Sequence, residues 1–241
     1  MDAKQIEKLL MSKPTTSKAA VSPDHLLSTG NTCLNLACSG HSCGAWVPGS
    51  YVFIVGDSQS GKTFFGLTCL AEACRTKFYD KHLLIYDNVE NGAQMDMEKF
   101  LAKRVQPPEG TKAKPQSSEF VEDFYYTLDD LVKKSEPFIY ILDSMDSLGT
   151  RYSDRKFAEG KTAARKNTKA KGDYGDGKAK INNTNLRRVV AAIEKSDSIL
   201  IIINQTRDNV DAGLFESKKT RSGGHALKFY ATTEIWTSVS K

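Results

Sequence analysis

A loop of eight residues between an apolar run and a helix-forming segment constrains this chain more than any other feature. Residues 51–55 are five consecutive apolar or aromatic residues, and residues 56–63 follow them with the sequence GDSQSGKT. A short apolar run bounded by glycine is typical of a strand buried on both faces of a parallel sheet. The pattern after the loop predicts a helix over residues 62–77. The loop is therefore expected to join the end of a buried strand to the start of a helix.

The spacing of this loop fits G-x-x-x-x-G-K-[ST], in which backbone N–H groups wrap a phosphate at the start of a helix. Lys62 can reach the β- and γ-phosphates of a nucleotide, and the Thr63 hydroxyl is placed to ligate Mg²⁺. A chance match in an ordinary turn is the alternative, and the strand–loop–helix context argues against it. We therefore predict an ATP site formed by Gly56, Asp57, Ser58, Gln59, Ser60, Gly61, Lys62 and Thr63.

Three further apolar runs repeat the strand pattern, and each ends in a polar residue. They are residues 82–86 before Asp87, 138–142 before Asp143, and 199–203 before Asn204 and Gln205. Helices are predicted between them, over residues 94–103, 127–134 (with Thr127 as the cap) and 183–195. This alternation predicts an α/β fold with a mainly parallel central sheet flanked by helices. Open sheets of this kind bind ligands at the carboxyl ends of their strands.

The polar residues at these strand ends suggest a hydrolytic site. Asp143 is predicted to hold Mg²⁺ directly or through water, whereas in isolation it would be an ordinary turn or capping aspartate. Glu90 is the candidate that orients or deprotonates the attacking water. Asp87 is the alternative, since the sequence does not fix the register between strand end and carboxylate. Gln205 is predicted to contact the γ-phosphate, and with Lys62 and Glu90 it completes the predicted catalytic set.

The charge of the chain is concentrated in one segment. The whole chain has a net charge of +5, but residues 151–180 contain ten basic and four acidic side chains, which leaves about −1 for the rest. A basic segment on a near-neutral body indicates a polyanionic partner, and a solvated loop without a partner is the alternative. Its glycines predict a loop that stays mobile until a ligand orders it; they are Gly160, Gly172, Gly175 and Gly177.

From about residue 27 to 236 the chain resembles the RecA-like recombinases, their phage-encoded members in particular. The matching segments are residues 28–30, the strand and phosphate loop of 49–63, residues 139–144, residues 201–205 and, most specifically, SGGHALKFYA at 222–231. The resemblance implies an ATPase core over residues 28–241 that polymerises on single-stranded DNA with ATP between subunits. Residues 1–27 are then an N-terminal helix and flexible linker, a possible oligomerisation arm.

In that family, the loops after the Mg²⁺-binding strand and after the Asn-Gln strand grip DNA. Here these loops are residues 148–180 and 206–224, and the charge distribution had already selected the first. Lys228 and Phe229 would contact the neighbouring subunit's nucleotide site. The aromatic residues Tyr152, Phe157, Tyr174 and Phe215 either stack on bases or pack the loops onto the body. The predicted DNA-binding residues are Arg151, Arg155, Lys156, Arg165, Lys166, Lys169, Lys171, Arg207, Lys218, Lys219 and Arg221.

The resemblance implies an ATP-dependent recombinase that forms filaments on single-stranded DNA and pairs it with duplex DNA. The alternatives are a hexameric helicase-like or loader ATPase on the same core, and an ATP-switched DNA-coating or mediator protein with little turnover. The sequence ends at Lys241, where members of the family continue with further strands. A truncated protein and a minimal recombinase are both consistent with that end.

Composition also bears on location and on metal binding. No run approaches the 18 to 20 apolar residues that span a bilayer, so we expect a cytoplasmic protein (in the host cytoplasm if phage-encoded) without a membrane partner. Cys33, Cys38, His41 and Cys43 lie close in sequence, but their spacing matches no common zinc site. Small buried side chains are the expectation for the cysteines, with Cys69 and Cys74 in the core.

Overall fold

The computed structural model describes residues 21–92, 99, 104–110, 116–166, 177–208 and 219–239. Within these residues, seven strands form one mainly parallel sheet with helices against it, which confirms the predicted fold class. In spatial order the strands run β3-β2-β4-β5-β1-β7, and β6 pairs antiparallel with the end of β5. The strands are β1 (Tyr51–Gly56), β2 (Leu83–Asn88), β3 (Val105–Gln106), β4 (Phe138–Asp143), β5 (Ile199–Asp208), β6 (Lys219–Arg221) and β7 (Thr233–Thr237).

The helices cover both faces of this sheet. They are α1 (Thr32–Ser39), α2 (Lys62–Arg75), α3 (Val121–Lys134), α4 (Arg151–Arg165), α5 (Lys178–Lys195) and α6 (His225–Phe229), with short 3₁₀ helices at Pro23–His25, Lys77–Lys81 and Met145–Ser147. The helix predicted for 94–103 lies outside the described residues, apart from a helical Lys99, and so does the predicted N-terminal helix.

The core consists of two hydrophobic clusters, one on each face of the sheet. Apolar side chains of α3 and α5 pack on one face, and those of α2 pack on the other. β1 and β4 are buried along their whole length, as expected for continuous apolar runs in a parallel sheet. The parallel register places the carboxyl ends of β1, β2, β4 and β5 along one edge.

Two sequence-based boundaries differ from the structure. Thr127 does not cap a helix: α3 begins at Val121, and the Thr127 hydroxyl donates to the Asp123 carbonyl at 3.1 Å inside it. Asp123 instead accepts from the Phe120 N–H at 3.1 Å, as an acidic side chain does in the first turn of a helix. Leu27, assigned to the linker, is fully buried and its N–H donates to the Trp46 carbonyl at 2.8 Å. The ordered core therefore begins before residue 28.

The predicted mobile loop at 148–180 is helical over half its length. α4 includes Gly160, and the Thr150 side chain caps it by accepting from the Ser153 N–H at 3.1 Å. Lys, Arg and Ala are good helix formers, so a basic segment without proline folds as a helix despite one glycine. Likewise α5 begins at Lys178 rather than residue 183. Residues 167–176, with Gly172 and Gly175, lie outside the described residues.

The cysteine expectations were partly wrong. Cys69 is buried in the core as predicted, and Cys74 is partly buried. Cys33 and Cys43 are exposed, because α1 turns Cys33 toward solvent and Cys43 lies in a surface turn. Among the described residues, no three His, Cys, Asp or Glu side chains form a group able to hold a metal. No helix in the described part of the chain is long and apolar enough to cross a membrane.

Candidate nucleotide-binding site

The phosphate loop lies where the sequence placed it, between the end of β1 and the start of α2. It borders a cavity of about 340 Å³ at the carboxyl edge of the sheet. Glu90, Asp143 and Gln205, which come from three other strand ends, line the same cavity. The structure therefore brings the predicted phosphate-binding, metal-binding and catalytic residues together. The loop residues that line the cavity are Ser58, Gln59, Ser60, Gly61, Lys62 and Thr63.

Gly56 opens the loop because β7 passes too close for a side chain. A Cβ at this position would lie 2.0 Å from Thr237 Oγ1 and 2.5 Å from the Thr237 carbonyl oxygen. Ser60 Oγ and Thr237 Oγ1 are 2.6 Å apart, so β7 also supports the middle of the loop. The first glycine of the motif thus serves packing.

Lys62 is held inside the loop. Its side chain is only 8% exposed, and its Nζ donates to the Asp57 carbonyl at 2.6 Å. Burial lowers the pKa of Lys62, and the carboxylates of Glu90, Asp143 and Asp57 oppose that shift. A phosphate entering the loop would give Lys62 a charged partner in place of the neutral carbonyl of Asp57.

Thr63 and Asp143 form the candidate metal site. The Thr63 hydroxyl donates to Asp143 Oδ2 at 2.7 Å, and the Tyr86 hydroxyl donates to the same oxygen at 2.9 Å. Burial raises the pKa of the Asp143 carboxyl, while these two hydrogen bonds favour its ionised form. A hydroxyl and a carboxylate side by side are hard oxygen ligands, which suit Mg²⁺ in a nucleotide site. The residues present therefore fit the predicted ion.

Glu90 lies at the mouth of the cavity and Asp87 does not. Glu90 Oε1 accepts from the Ser147 hydroxyl at 3.0 Å, from Gln205 Nε2 at 3.1 Å and from the Ser144 hydroxyl. This position supports the prediction that Glu90 orients water, and its contact with Gln205 joins two of the predicted catalytic residues.

Asp87 is a structural carboxylate. It is fully buried, and it accepts from the Ser118 N–H at 3.0 Å, the Ser118 hydroxyl at 2.6 Å and the Tyr140 hydroxyl at 2.7 Å. β2 continues to Asn88, so Asp87 lies within the strand instead of beyond its end. The alternative that made Asp87 the catalytic carboxylate is therefore wrong.

Asp146 is a residue of this site that sequence reasoning missed. Its carboxylate accepts from the Gln205 N–H and the Ser222 hydroxyl, and forms an ion pair of 3.6 Å with Arg207. Burial raises the pKa of Asp146. A second aspartate three residues after Asp143, just past a strand end, was the available signal. Asp146 fixes the point where β5 leaves the sheet.

The predicted DNA-binding residues of the second loop are paired within the molecule. Arg207 contacts Asp146, Lys219 forms an ion pair with Asp57, and Arg221 lies 3.1 Å from Glu234 and over the Trp236 ring. The loop is a β-hairpin at its base, where Arg207 of β5 opposes Thr220 of β6. Its tip, with Lys218 and Phe215, lies outside the described residues.

The predicted residues of the first segment lie mostly on the exposed α4. Arg151 forms an ion pair with Asp123, which attaches α4 to α3. Phe157 is 74% exposed, so for this residue packing onto the body is wrong. Tyr152 lies beneath Arg155 and Lys156, and Lys156 also pairs with Glu159 at 2.8 Å. Arg165 and Lys166 are exposed at the end of α4, whereas Lys169, Lys171 and Tyr174 lie outside the described residues.

Packing against α5 explains the two glycines at 223 and 224, in the segment that carried the family resemblance. Gly224 has φ of +91°, and a Cβ there would lie 2.8 Å from Ala179 Cβ at the start of α5. Asn182 Nδ2 donates to the Gly223 carbonyl at 3.0 Å, so α5 holds the turn from the side. This close approach presents Lys228 and Phe229 at the surface, where Phe229 is 79% exposed.

Fold and site together define a P-loop α/β core of the RecA-like kind. The family model of the RecA N-terminal domain matches residues 159–239. Protein RecA of Thermotoga neapolitana is 28% identical over 220 residues, which are 89% of this chain and 54% of that protein. Protein RecA of Rhizobium rhizogenes is 27% identical over 217 residues, 87% of this chain and 51% of that protein.

These matches, on a sheet and site of the expected arrangement, show that the chain is similar to the RecA-like recombinases. The chain spans about half the length of the curated relatives it matches. The resemblance to phage-encoded members in particular stays a prediction.

Proposed function

We propose that this protein is an ATP-dependent, single-stranded-DNA-binding recombinase that assembles on DNA as a filament and pairs homologous strands. The observation that carries the proposal is the position of Gln205. Its side chain donates to Glu90 in the nucleotide cavity at 3.1 Å, and its strand continues into the basic hairpin. Gln205 is adjacent in sequence to the predicted DNA-binding loop, which begins at residue 206. A movement of its side chain when the γ-phosphate binds or leaves would therefore reach that loop directly.

The nucleotide half of the proposal assigns a role to each residue around the cavity. Lys62 and the N-terminal N–H groups of α2 bind the β- and γ-phosphates. Thr63 and Asp143 would hold Mg²⁺, which when bound neutralises charge on the phosphate oxygens. Glu90 accepts a proton from the attacking water or orients it. Gln205 contacts the γ-phosphate when it is present and loses that contact after hydrolysis.

The DNA-binding part of the proposal depends on basic side chains that would contact phosphates and not base edges. Arg155, Arg165 and Lys166 are exposed on α4, and Arg207 and Lys219 lie on the hairpin. Phosphate contacts of this kind supply affinity that is independent of sequence, as a protein that coats any strand requires. Exposed Phe157 is available to stack on a base. Lys228 and Phe229 are proposed to contact the next subunit.

The test is binding of fluorescent oligo-dT, followed by anisotropy, with Mg²⁺ and a non-hydrolysable ATP analogue over a series of salt concentrations. If about five phosphates are neutralised per subunit, log K against log salt should have a slope of about −3.5 on a single strand. Binding that ignores salt, or no binding, would remove the proposal. DNA-stimulated ATP hydrolysis, measured in parallel, should vanish when DNA is omitted or reduced to a dinucleotide.

Electron microscopy of the same complex separates the remaining possibilities. Open helical filaments support a recombinase, whereas closed rings would favour a helicase-like or loader ATPase. Filaments without measurable turnover would favour an ATP-switched coating protein. Lys62→Ala should abolish nucleotide-dependent assembly, and Lys77→Ala, which removes an exposed lysine away from the cavity, should not.

A further inference from the structure

Asp57, the second residue of the phosphate loop, contacts both functional halves of the molecule. Its main-chain carbonyl accepts from Lys62 Nζ at 2.6 Å. Its side-chain carboxylate accepts from the Thr206 hydroxyl and from Lys219 Nζ. The lysine predicted to bind nucleotide phosphates and a lysine predicted to bind DNA phosphates therefore share one residue as their partner.

The two groups on the Asp57 carboxylate come from opposite arms of the hairpin. Thr206 lies in the part of β5 that extends beyond the sheet, and Lys219 is the first residue of β6. Asp208 and Lys219 face each other in the antiparallel ladder, and Thr206 faces Arg221. One carboxylate thus fixes both arms against the phosphate loop.

Binding at either site must disturb this arrangement. Lys62 has to leave the Asp57 carbonyl to reach a phosphate, and that removes a contact that positions residue 57. Lys219 has to leave the Asp57 carboxylate to contact DNA. The Lys219 hydrogen bond holds the pKa of the Asp57 carboxyl below its usual value, so the carboxylate keeps its charge at neutral pH.

We propose that Asp57 is a positioning residue that holds the β5–β6 hairpin against the phosphate loop while the nucleotide site is empty and releases it when phosphates bind. The proposal rests on the proposed function, since it assumes that both sites bind their ligands. The ion pair is suited to release because the side chains of Lys219 and Asp57 are 48% and 30% exposed. Exposed pairs of this kind are weak, and a DNA phosphate can replace the carboxylate.

The measurement is the ratio of single-stranded-DNA affinities with and without saturating ATP analogue, taken for each variant. In the unaltered protein we expect the analogue to raise the affinity. Asp57→Asn should raise the affinity of the nucleotide-free protein about fivefold and leave the analogue-bound affinity nearly unchanged, so that the ratio falls. A substitution at residue 57 can change nucleotide affinity, because this residue belongs to the phosphate loop. Saturation is therefore established for every variant by titration with a fluorescently labelled analogue.

Asp208→Asn is the matched control. It removes one negative charge beside the same lysine, because Asp208 faces Lys219 across the ladder and makes no contact with the phosphate loop in the described structure. General electrostatics predicts that it raises both affinities by one factor and leaves the ratio intact. Lys219→Gln provides a second comparison, a double-variant test. In a chain that already carries Lys219→Gln, Asp57→Asn should no longer change the ratio.

The outcomes separate two failures. An unaltered protein that binds neither DNA nor nucleotide overturns the proposed function and this inference with it. A protein that binds both, with the same ratio in Asp57→Asn as in the unaltered chain, overturns the inference alone. Equal changes in Asp57→Asn and Asp208→Asn also overturn it, because they would reduce the effect to charge. Thermal melting of each variant establishes that every comparison is between folded proteins.

Discussion

Thr63 donates a hydrogen bond of 2.7 Å to the Asp143 carboxylate, although 80 residues separate the two in sequence. The bond joins the start of α2 to the end of β4, which lies two strands from β1 in the sheet. Only β5 lies between them, and its parallel ladders with β1 and with β4 fix the distance. The candidate metal site is thus a consequence of sheet order.

The first prediction concerns the cost of holding Asp143 ionised without a metal. Burial raises the pKa of this carboxyl, so between its unfolded and folded pKa values the folded chain binds more protons. Stability therefore falls as pH rises through that window. Asp143→Asn should raise the unfolding free energy of the nucleotide-free protein at pH 7 by about 0.5–2 kcal/mol, as measured by urea denaturation.

The same pKa shift gives a pH signature. At a pH below the unfolded pKa of aspartate, the stability advantage of Asp143→Asn should disappear, because both states are then protonated in the unaltered chain. Affinity for the Mg²⁺–nucleotide complex should fall as pH is lowered through the raised pKa of Asp143. An advantage of Asp143→Asn that is constant with pH would contradict this account.

The second prediction separates two carboxylates near the end of β2, Asp87 inside the strand and Glu90 just after it. Glu90→Gln should lower ATP turnover about 10²- to 10⁴-fold and leave nucleotide affinity and stability nearly unchanged, since Glu90 is exposed. Asp87→Ala should lower the unfolding free energy by at least about 2 kcal/mol, because buried donors of Ser118 and Tyr140 lose their acceptor. Undiminished turnover in Glu90→Gln would move the catalytic role elsewhere.

The sequence predicted the parts of this site that depend on continuous apolar runs. Four buried strands and the residues at their carboxyl ends could be placed because a parallel sheet brings those ends to one edge. The choice between Glu90 and Asp87 could not be made, since it depends on where β2 ends, and no local pattern marks Asn88 as its last residue. Asp146 was missed for a similar reason: its partners, Gln205 and Ser222, are distant in sequence.

The basic segment shows the opposite limitation. The count of charged residues singles the segment out, but charge and glycine content do not distinguish a solvated helix from a solvated loop. The segment lacks proline and is rich in good helix formers, and this information was present in the sequence. That Lys219 and Arg221 are paired with Asp57 and Glu234 could not be read from the sequence, because both partners lie in other strands or loops.

The third prediction distinguishes two arginines of α4. Arg155 is exposed on the helix, so Arg155→Ala should weaken single-stranded-DNA binding and reduce the salt slope by about 0.7. Arg151 pairs with Asp123 and lies over the Phe120 ring, 5.2 Å from its centroid, so Arg151→Ala should chiefly loosen α4. Hydrogen exchange of the α4 amides should increase in Arg151→Ala and stay unchanged in Arg155→Ala. Equal salt slopes in the Arg155→Ala and unaltered proteins would remove Arg155 from the interface.

The last prediction compares two glycines with opposite surroundings. Gly224 has φ of +91° and a hypothetical Cβ only 2.8 Å from Ala179 Cβ, whereas nothing lies within 4 Å of the corresponding position at Gly160. Gly224→Ala should therefore lower the unfolding free energy by about 1–3 kcal/mol through overpacking and backbone strain. Gly160→Ala should stabilise α4 locally by about 1 kcal/mol, since alanine is the better helix former. Hydrogen exchange of α4 and the midpoint of urea unfolding measure the two effects separately.

If Gly160→Ala also changed single-stranded-DNA affinity without nucleotide, the helical state of α4 would be part of the binding equilibrium. Equal affinity would mean that DNA binds a helix that is already formed.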